Sequence, residues 1–245
     1  MTRRIHIAYK KLQKRFGFST LIKGHSLPKS GFACEIMSET ETLRLNCSKI
    51  LELDLLKGEL DPELDLEDFI YLIRWLEENS INLGAYVFNK GNTDRYAFPK
   101  EIYNFLLNKR LKYIKAFEER VPEKYKKGTN FIITTDKELL VIEQLRVCVR
   151  RLESKYVRWI LDPITTSDIL SHIEEGIPNF CEKGELPSEV DDNLRNALVR
   201  VGRMIRMEHI LNSLSNYLWW YCQFIASYKG SIREWENNPS PKFER

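Results

Sequence analysis

Four histidines, five cysteines and a long series of carboxylates are the groups in this 245-residue chain that could hold a metal or move a proton. A metal site needs its ligands at turn or helical spacing. His6, His25, His172 and His209 stand far apart, and acids adjoin only the last two. Cys34, Cys47, Cys148, Cys181 and Cys222 form no CxxC or CxH pair, and their odd number argues against a disulfide framework. The acid run from Glu59 to Asp68 has the density of a calcium loop. However, Leu66 stands where the sharp-turn glycine belongs, and Arg74 follows in place of a closing acid. Asp162 with Glu182-Lys183 misses the nuclease ExK pattern, because the second acid abuts its lysine. The glycines are scattered, so GxxxxGK[ST], GxGxxG and GxSxG are all absent and no loop is built to cradle a phosphate. Neither a metal nor an organic cofactor is expected.

One spacing survives these tests. Arg203 and His209 are separated by five residues within a strongly helical stretch. The pair resembles the Arg-x4-6-His element of HEPN-type ribonucleases. That resemblance implies a helical protein and metal-independent RNA cleavage, in which such a pair from two protomers handles the 2′-hydroxyl and the phosphate. It covers seven residues, and Met204 follows the arginine where that family commonly carries a polar residue. The alternative is that both side chains lie on an ordinary amphipathic helix.

Charge is the more extensive signal. The formal net charge is only +3, yet residues 1–34 carry eight bases and no acid, and residues 35–68 carry eleven acids against three bases. Residues 69–135 are again basic, and residues 163–192 hold eight acids against one base. Such blocks mark either a surface for a polyanion or acidic and basic faces that meet inside one fold. On the first reading Arg3, Arg4, Lys10, Lys11, Lys14 and Arg15 contact phosphate. So do Lys109, Arg110 and Lys112 after Pro99, and Arg151, Lys155 and Arg158 opposite an apolar stripe. The acid-free amino terminus equally fits an organellar targeting segment, although it favours Lys over Arg and carries aromatic residues. Without a secretory signal or a disulfide pattern, the expected compartment is reducing and cytoplasmic.

The elements that must position these residues follow from periodicity. Residues 5–16 suit a basic helix, and 32–46 alternate loosely enough for a short hairpin. Asp65 is placed to cap a helix through Phe69, Leu72, Ile73 and Leu76. Ala85 to Phe88 and Arg95 to Phe98 read as extended pieces joined by Asn89-Lys90-Gly91-Asn92, and Thr129 to Thr135 as another strand. Pro99 opens a helix to about Arg120. From Asp136, Leu145, Val149, Leu152, Tyr156 and Ile160 recur on one helical face. A last helix from near Ser188 to Lys229 has two adjacent apolar lines, one through Met207, Leu211, Leu214, Leu218, Cys222 and Ile225 and one through Tyr217, Tyr221, Phe224 and Tyr228. Its stretch Ile210–Tyr228 lacks formal charge, but six polar side chains there fit a buried helix better than a membrane span.

The expected fold is α+β and predominantly helical. It divides into a mixed region with short hairpins at 1–135 and a helical bundle at 136–245. The expected function is a non-enzymatic one, binding nucleic acid or an acidic partner through basic faces within a homo-oligomer or larger assembly. The ribonuclease is the enzymatic alternative. A third reading is a structural or membrane-peripheral module that docks a partner through Trp219 and Trp220.

Overall fold

The computed structural model describes residues 27–56, 64–88, 91, 94–120, 136–161 and 192–229. They form five long helices: α1 (Leu27–Leu51), α2 (Leu66–Phe88), α3 (Lys100–Arg120), α4 (Lys137–Ile160) and α5 (Asp192–Tyr228). Two short 3₁₀ turns, Asp54–Leu56 and Asp94–Tyr96, accompany them. The described residues are 93% helical and contain no strand, so the mixed α+β expectation is wrong and the architecture is a helical bundle.

The hairpin expected over 32–46 is the body of α1. Its buried set is Ile36, Thr40, Leu43, Asn46, Cys47 and Ile50, which follows the helical period. Polar Thr40 and Asn46 lie on the inner side and Leu45 on the outer side, so the pattern has little hydropathic contrast. Thr40 is satisfied locally, its hydroxyl donating to the Met37 carbonyl at 2.8 Å. Ala85 to Phe88 is likewise not extended, because α2 continues through it to Phe88. Gly84 serves packing there: a Cβ at that position would sit 2.9 Å from Met37 Cγ, so it lets α1 and α2 approach. Gly91 does adopt the positive φ expected of it, at 71°, but it ends a helix rather than turning a hairpin, its amide donating to the Tyr86 carbonyl at 3.0 Å. Arg95 to Phe98 leads out of a 3₁₀ turn to Phe98, which is buried edge-on against Trp75. The expected helix at 5–16 and strand at 129–135 lie outside the described residues.

Successive helices alternate in direction. Met37 meets Gly84, Glu39 meets Lys155, and Tyr156 meets Met204, which makes α1 antiparallel to α2 and α4, and α4 antiparallel to α5. Helix α3 runs parallel to α5, with Phe105 beside Tyr217, Phe117 beside Trp220 and Arg120 over Tyr228. Main chains pack closely in the order α2, α1, α4, α5, α3. Large side chains close the remaining seam between α2 and the α3–α5 pair. Phe69 stacks on Tyr221 at 4.2 Å, and Tyr71 meets Phe105 edge-on at 6.5 Å. The uncharged stretch of α5 is therefore the centre of the bundle, with both its apolar lines buried apart from partly exposed Tyr228. Among the described residues, no helix is long and apolar enough to cross a membrane.

Candidate functional site

A cluster of ionisable side chains sits on the aromatic seam. Asp65 precedes α2 with a left-handed φ of 56°, a conformation that aspartate tolerates better than most residues but still at some cost. Its carbonyl accepts from the Phe69 amide at 3.2 Å, as a cap should. Its carboxylate, however, points across to α3 and accepts from Lys109 Nζ at 3.0 Å and Tyr113 Oη at 2.8 Å. Lys112 Nζ adds an ion pair at 3.0 Å, Lys109 also binds Asp68, and the Tyr113 and Tyr217 hydroxyls meet at 3.4 Å. Burial pushes the Asp65 carboxyl up, but the bonds from Lys109, Tyr113 and Lys112 outweigh it and hold the group below the usual carboxylate range. Burial likewise works against the Lys109 ammonium, and its bonds to Asp68 and Asp65 prevail and raise it. Desolvation, then Tyr217 and Asp65, drive the Tyr113 phenol far upward, so it stays a neutral donor. The arrangement is a charge-and-phenol clasp between α2, α3 and α5. Its signal in the sequence was Lys109, Lys112 and Tyr113 at i, i+3 and i+4, two cations and a phenol on one face of a helix.

The acidic and basic blocks meet elsewhere too. Lys155 on α4 donates to Glu39 Oε1 on α1 at 2.7 Å and lies 4.0 Å from Glu35. Of the six described bases expected to contact phosphate, Lys109, Lys112 and Lys155 are thus bonded to carboxylates of the 35–68 block. Arg110 is half-buried, and its Nε finds no hydrogen-bond partner among the described residues. Arg151 and Arg158 are exposed on the outer side of α4. Arg3, Arg4, Lys10, Lys11, Lys14 and Arg15 lie outside the described residues.

Arg203 and His209 share α5 but not a face. Six residues turn a helix through 600°, so the two side chains leave it about 120° apart and about 9 Å apart along the axis. Arg203 is half-buried, while His209 is exposed with its Nε2 3.5 Å from Glu208. The two tryptophans turn toward neighbouring helices: Arg146 of α4 lies 5.2 Å over Trp219, and Trp220 meets Phe117 of α3 edge-on at 5.8 Å. Cys47, Cys148 and Cys222 are free and buried, and burial pushes all three thiols up, away from the reactive thiolate. Among the described residues, no group of three or more His, Cys, Asp or Glu is placed to hold a metal.

The outer surface of α4 offers a second arrangement, in which exposed aliphatics accompany the Arg151 and Arg158 expected there. Leu140, Gln144, Val147, Arg151, Ser154, Arg158 and Leu161 recur at spacings of four and three, and every one is exposed. Leu140 is 48%, Val147 37% and Leu161 72% exposed. Comparison with known proteins adds nothing to the site: no family model, no curated protein and no solved structure matches the chain.

Proposed function

We propose that the protein is a non-enzymatic assembly subunit of a reducing, cytoplasmic compartment, which receives an acidic, partly apolar protein partner on the outer face of α4. The observation that carries this reading is the outward seam from Leu140 to Leu161. Alternate spacings of three and four along a helix are what a partner helix requires to seat its side chains. The seam has aliphatics at Leu140, Val147 and Leu161 and guanidiniums at Arg151 and Arg158, so a matching surface presents apolar residues flanked by carboxylates. Lys109, Lys112 and Lys155 are instead bonded to acids of the same chain, which favours a protein partner over nucleic acid. Free, buried cysteines support the reducing compartment.

Anisotropy titrations of the full chain test the reading with three probes: an amphipathic helical peptide with leucines at heptad positions and flanking glutamates, a single-stranded RNA, and a DNA duplex. The peptide is expected to bind, to lose about tenfold in affinity for each ~1.4 kcal/mol removed by the double variant R151E/R158E, and to keep part of its affinity at high salt through the aliphatic contacts. Absence of peptide binding, or binding indifferent to the double variant, overturns the proposal. Oligonucleotide binding that falls steeply with salt and vanishes in that variant replaces it with the nucleic-acid reading. Metal-independent RNA cleavage lost in His209→Ala replaces it with the ribonuclease.

A further inference from the structure

Within the outer face of α4, Arg151, Ser154 and Arg158 stand at i, i+3 and i+7, and all three are exposed. At about 1.5 Å and 100° per residue, Ser154 lies about 4.5 Å along the axis from Arg151 and about 6 Å from Arg158, and the three leave the helix within about 60° of one another. An arginine side chain is long enough to cover either distance, so both guanidiniums can meet over the Ser154 hydroxyl. Other bases of α4 are already paired. Arg146 holds Glu143, Arg150 holds Glu153 at 2.9 Å, and Lys155 holds Glu39 at 2.7 Å with Glu35 at 4.0 Å. Those pairs engage the carboxylates on either side of the face, Glu153 beside α5 and Glu35 and Glu39 on α1. Among the described residues, Arg151 forms no ion pair and the Ser154 hydroxyl no hydrogen bond. The helical hydroxyls of Thr40, Thr42, Ser48 and Ser227 behave otherwise, each donating to a carbonyl three or four residues back.

We propose that Arg151, Ser154 and Arg158 form a phosphoryl-binding site, and that the partner seated on α4 carries a phosphorylated serine or threonine there. This rests on α4 being the docking face and names the anion that the partner brings. Two guanidiniums and a hydroxyl between them suit a phosphate better than a carboxylate. A phosphorylated side chain brings a charge of about −1.5 to −2 and three strong acceptor oxygens, against a single charge and two oxygens for glutamate. Each guanidinium presents donors along more than one edge of a planar fork, so one engaged on one edge still offers another. The remaining oxygen falls to Ser154, whose small side chain lets the anion come down onto the helix between the two arginines. Aliphatics continue the face on both sides, Val147 before the three and Leu161 after them. They select a phosphorylated peptide over a nucleic acid, whose bases would have to cover Val147 and Leu161 in place of apolar side chains.

Titrations of the full chain test the site with three helical peptides of one sequence, leucines at heptad positions and phosphoserine, glutamate or serine at one flanking position. The phosphopeptide is expected to bind about tenfold more tightly than the glutamate peptide, and the serine peptide most weakly of the three. Ser154→Ala is expected to weaken the phosphopeptide severalfold and to leave the glutamate peptide unchanged. Arg151→Lys with Arg158→Lys keeps both charges but removes the forks, and it is expected to bring the two anionic peptides level. All three positions are exposed, and unchanged thermal midpoints verify that the variants fold. Equal affinity for phosphoserine and glutamate overturns the phosphoryl site and leaves the acidic partner of α4 standing, whereas failure of all three peptides to bind removes both. A phosphoserine preference that survives the lysine exchange, or is indifferent to Ser154→Ala, puts the phosphate elsewhere and overturns the proposal. So does a single-stranded RNA that binds more tightly than the phosphopeptide and is lost in the same double variant, which makes the ligand a nucleic acid.

Discussion

The two halves of α5 are one continuous helix with opposite surroundings. From Ile210 to Ala226 nearly every side chain is buried or half-buried, with α3 on one side, α4 on the other and Phe69 of α2 stacked on Tyr221. From Asp192 to His209 only Leu194, Ala197, Arg200, Met204 and Met207 turn inward, and Leu198, Val199, Gly202 and Ile205 face out. The half without charges is structural, and the half studded with arginines carries the uncovered aliphatics. Hydropathy alone assigns those roles the other way round, since the uncharged stretch is the one that looks made for another surface. Burial follows from how many neighbours a helix has, and its carboxy-terminal half has three.

The contrast can be broken most directly at Tyr221. Truncation to alanine removes its stacking on Phe69 and its contacts with Tyr113 and Tyr217, and chemical denaturation is expected to show a loss of about 3–5 kcal/mol. A loss near zero would mean that this half is not the core. Next comes Tyr113→Phe, which keeps the ring and deletes a donor to the Asp65 carboxylate. About 1.5–3 kcal/mol should go with it, the range for hydrogen bonds to charged groups. A smaller change is expected with acid. Because the Asp65 carboxyl is held below its ordinary value, its contribution is present above the unfolded-state value of about 3.9 and is lost as pH falls through the lower folded value. Stability measured against pH should therefore drop below about pH 4, and less steeply in Asp65→Asn. Identical acid limbs would remove Asp65 from the clasp. The smallest effect belongs to the outer half: Leu198→Ala is expected to stay within about 0.5 kcal/mol of the parent.

The helices whose inner side is uniformly apolar were legible in the sequence. Leu145, Val149, Leu152 and Tyr156 give α4, and Met207 through Ile225 with the tyrosine line gives α5 and its central place. Pro99 marks the start of α3 to within a residue. Helix α1 was hidden because its inner face includes Thr40 and Asn46, which bring the apolar count on that face down to that of a loosely alternating strand. Gly91 misled for a different reason: a glycine that ends a helix looks like one that turns a hairpin when only chain order is known. The clasp was half legible: the cations and the phenol on α3 share a face, but their acid comes from 44 residues away and was assigned to a local cap. The charge blocks posed a question with two answers, and the pairs that join Glu39 to Lys155 and Asp65 to Lys109 favour the inward one. On the outer face of α4, Arg151 and Arg158 were legible as a basic stripe, but Leu140, Val147 and Leu161 beside them were not, because in sequence an outward aliphatic cannot be told from one that packs.

The separation of those paired charges also governs the order in which the molecule can form. Helices α1 and α2 are adjacent in sequence, and their tight crossing at Gly84 needs nothing that comes later. Their acids, by contrast, must wait: Asp65 for a lysine 44 residues on, Glu39 for one 116 residues on. Phe69 finds its stacking partner only when Tyr221 has been made. Among the described helices, an α1–α2 hairpin can therefore close before its contacts with α3, α4 and α5 exist, and α5, the last of the five in chain order, completes the described core. The described core cannot close until the ribosome has delivered α5.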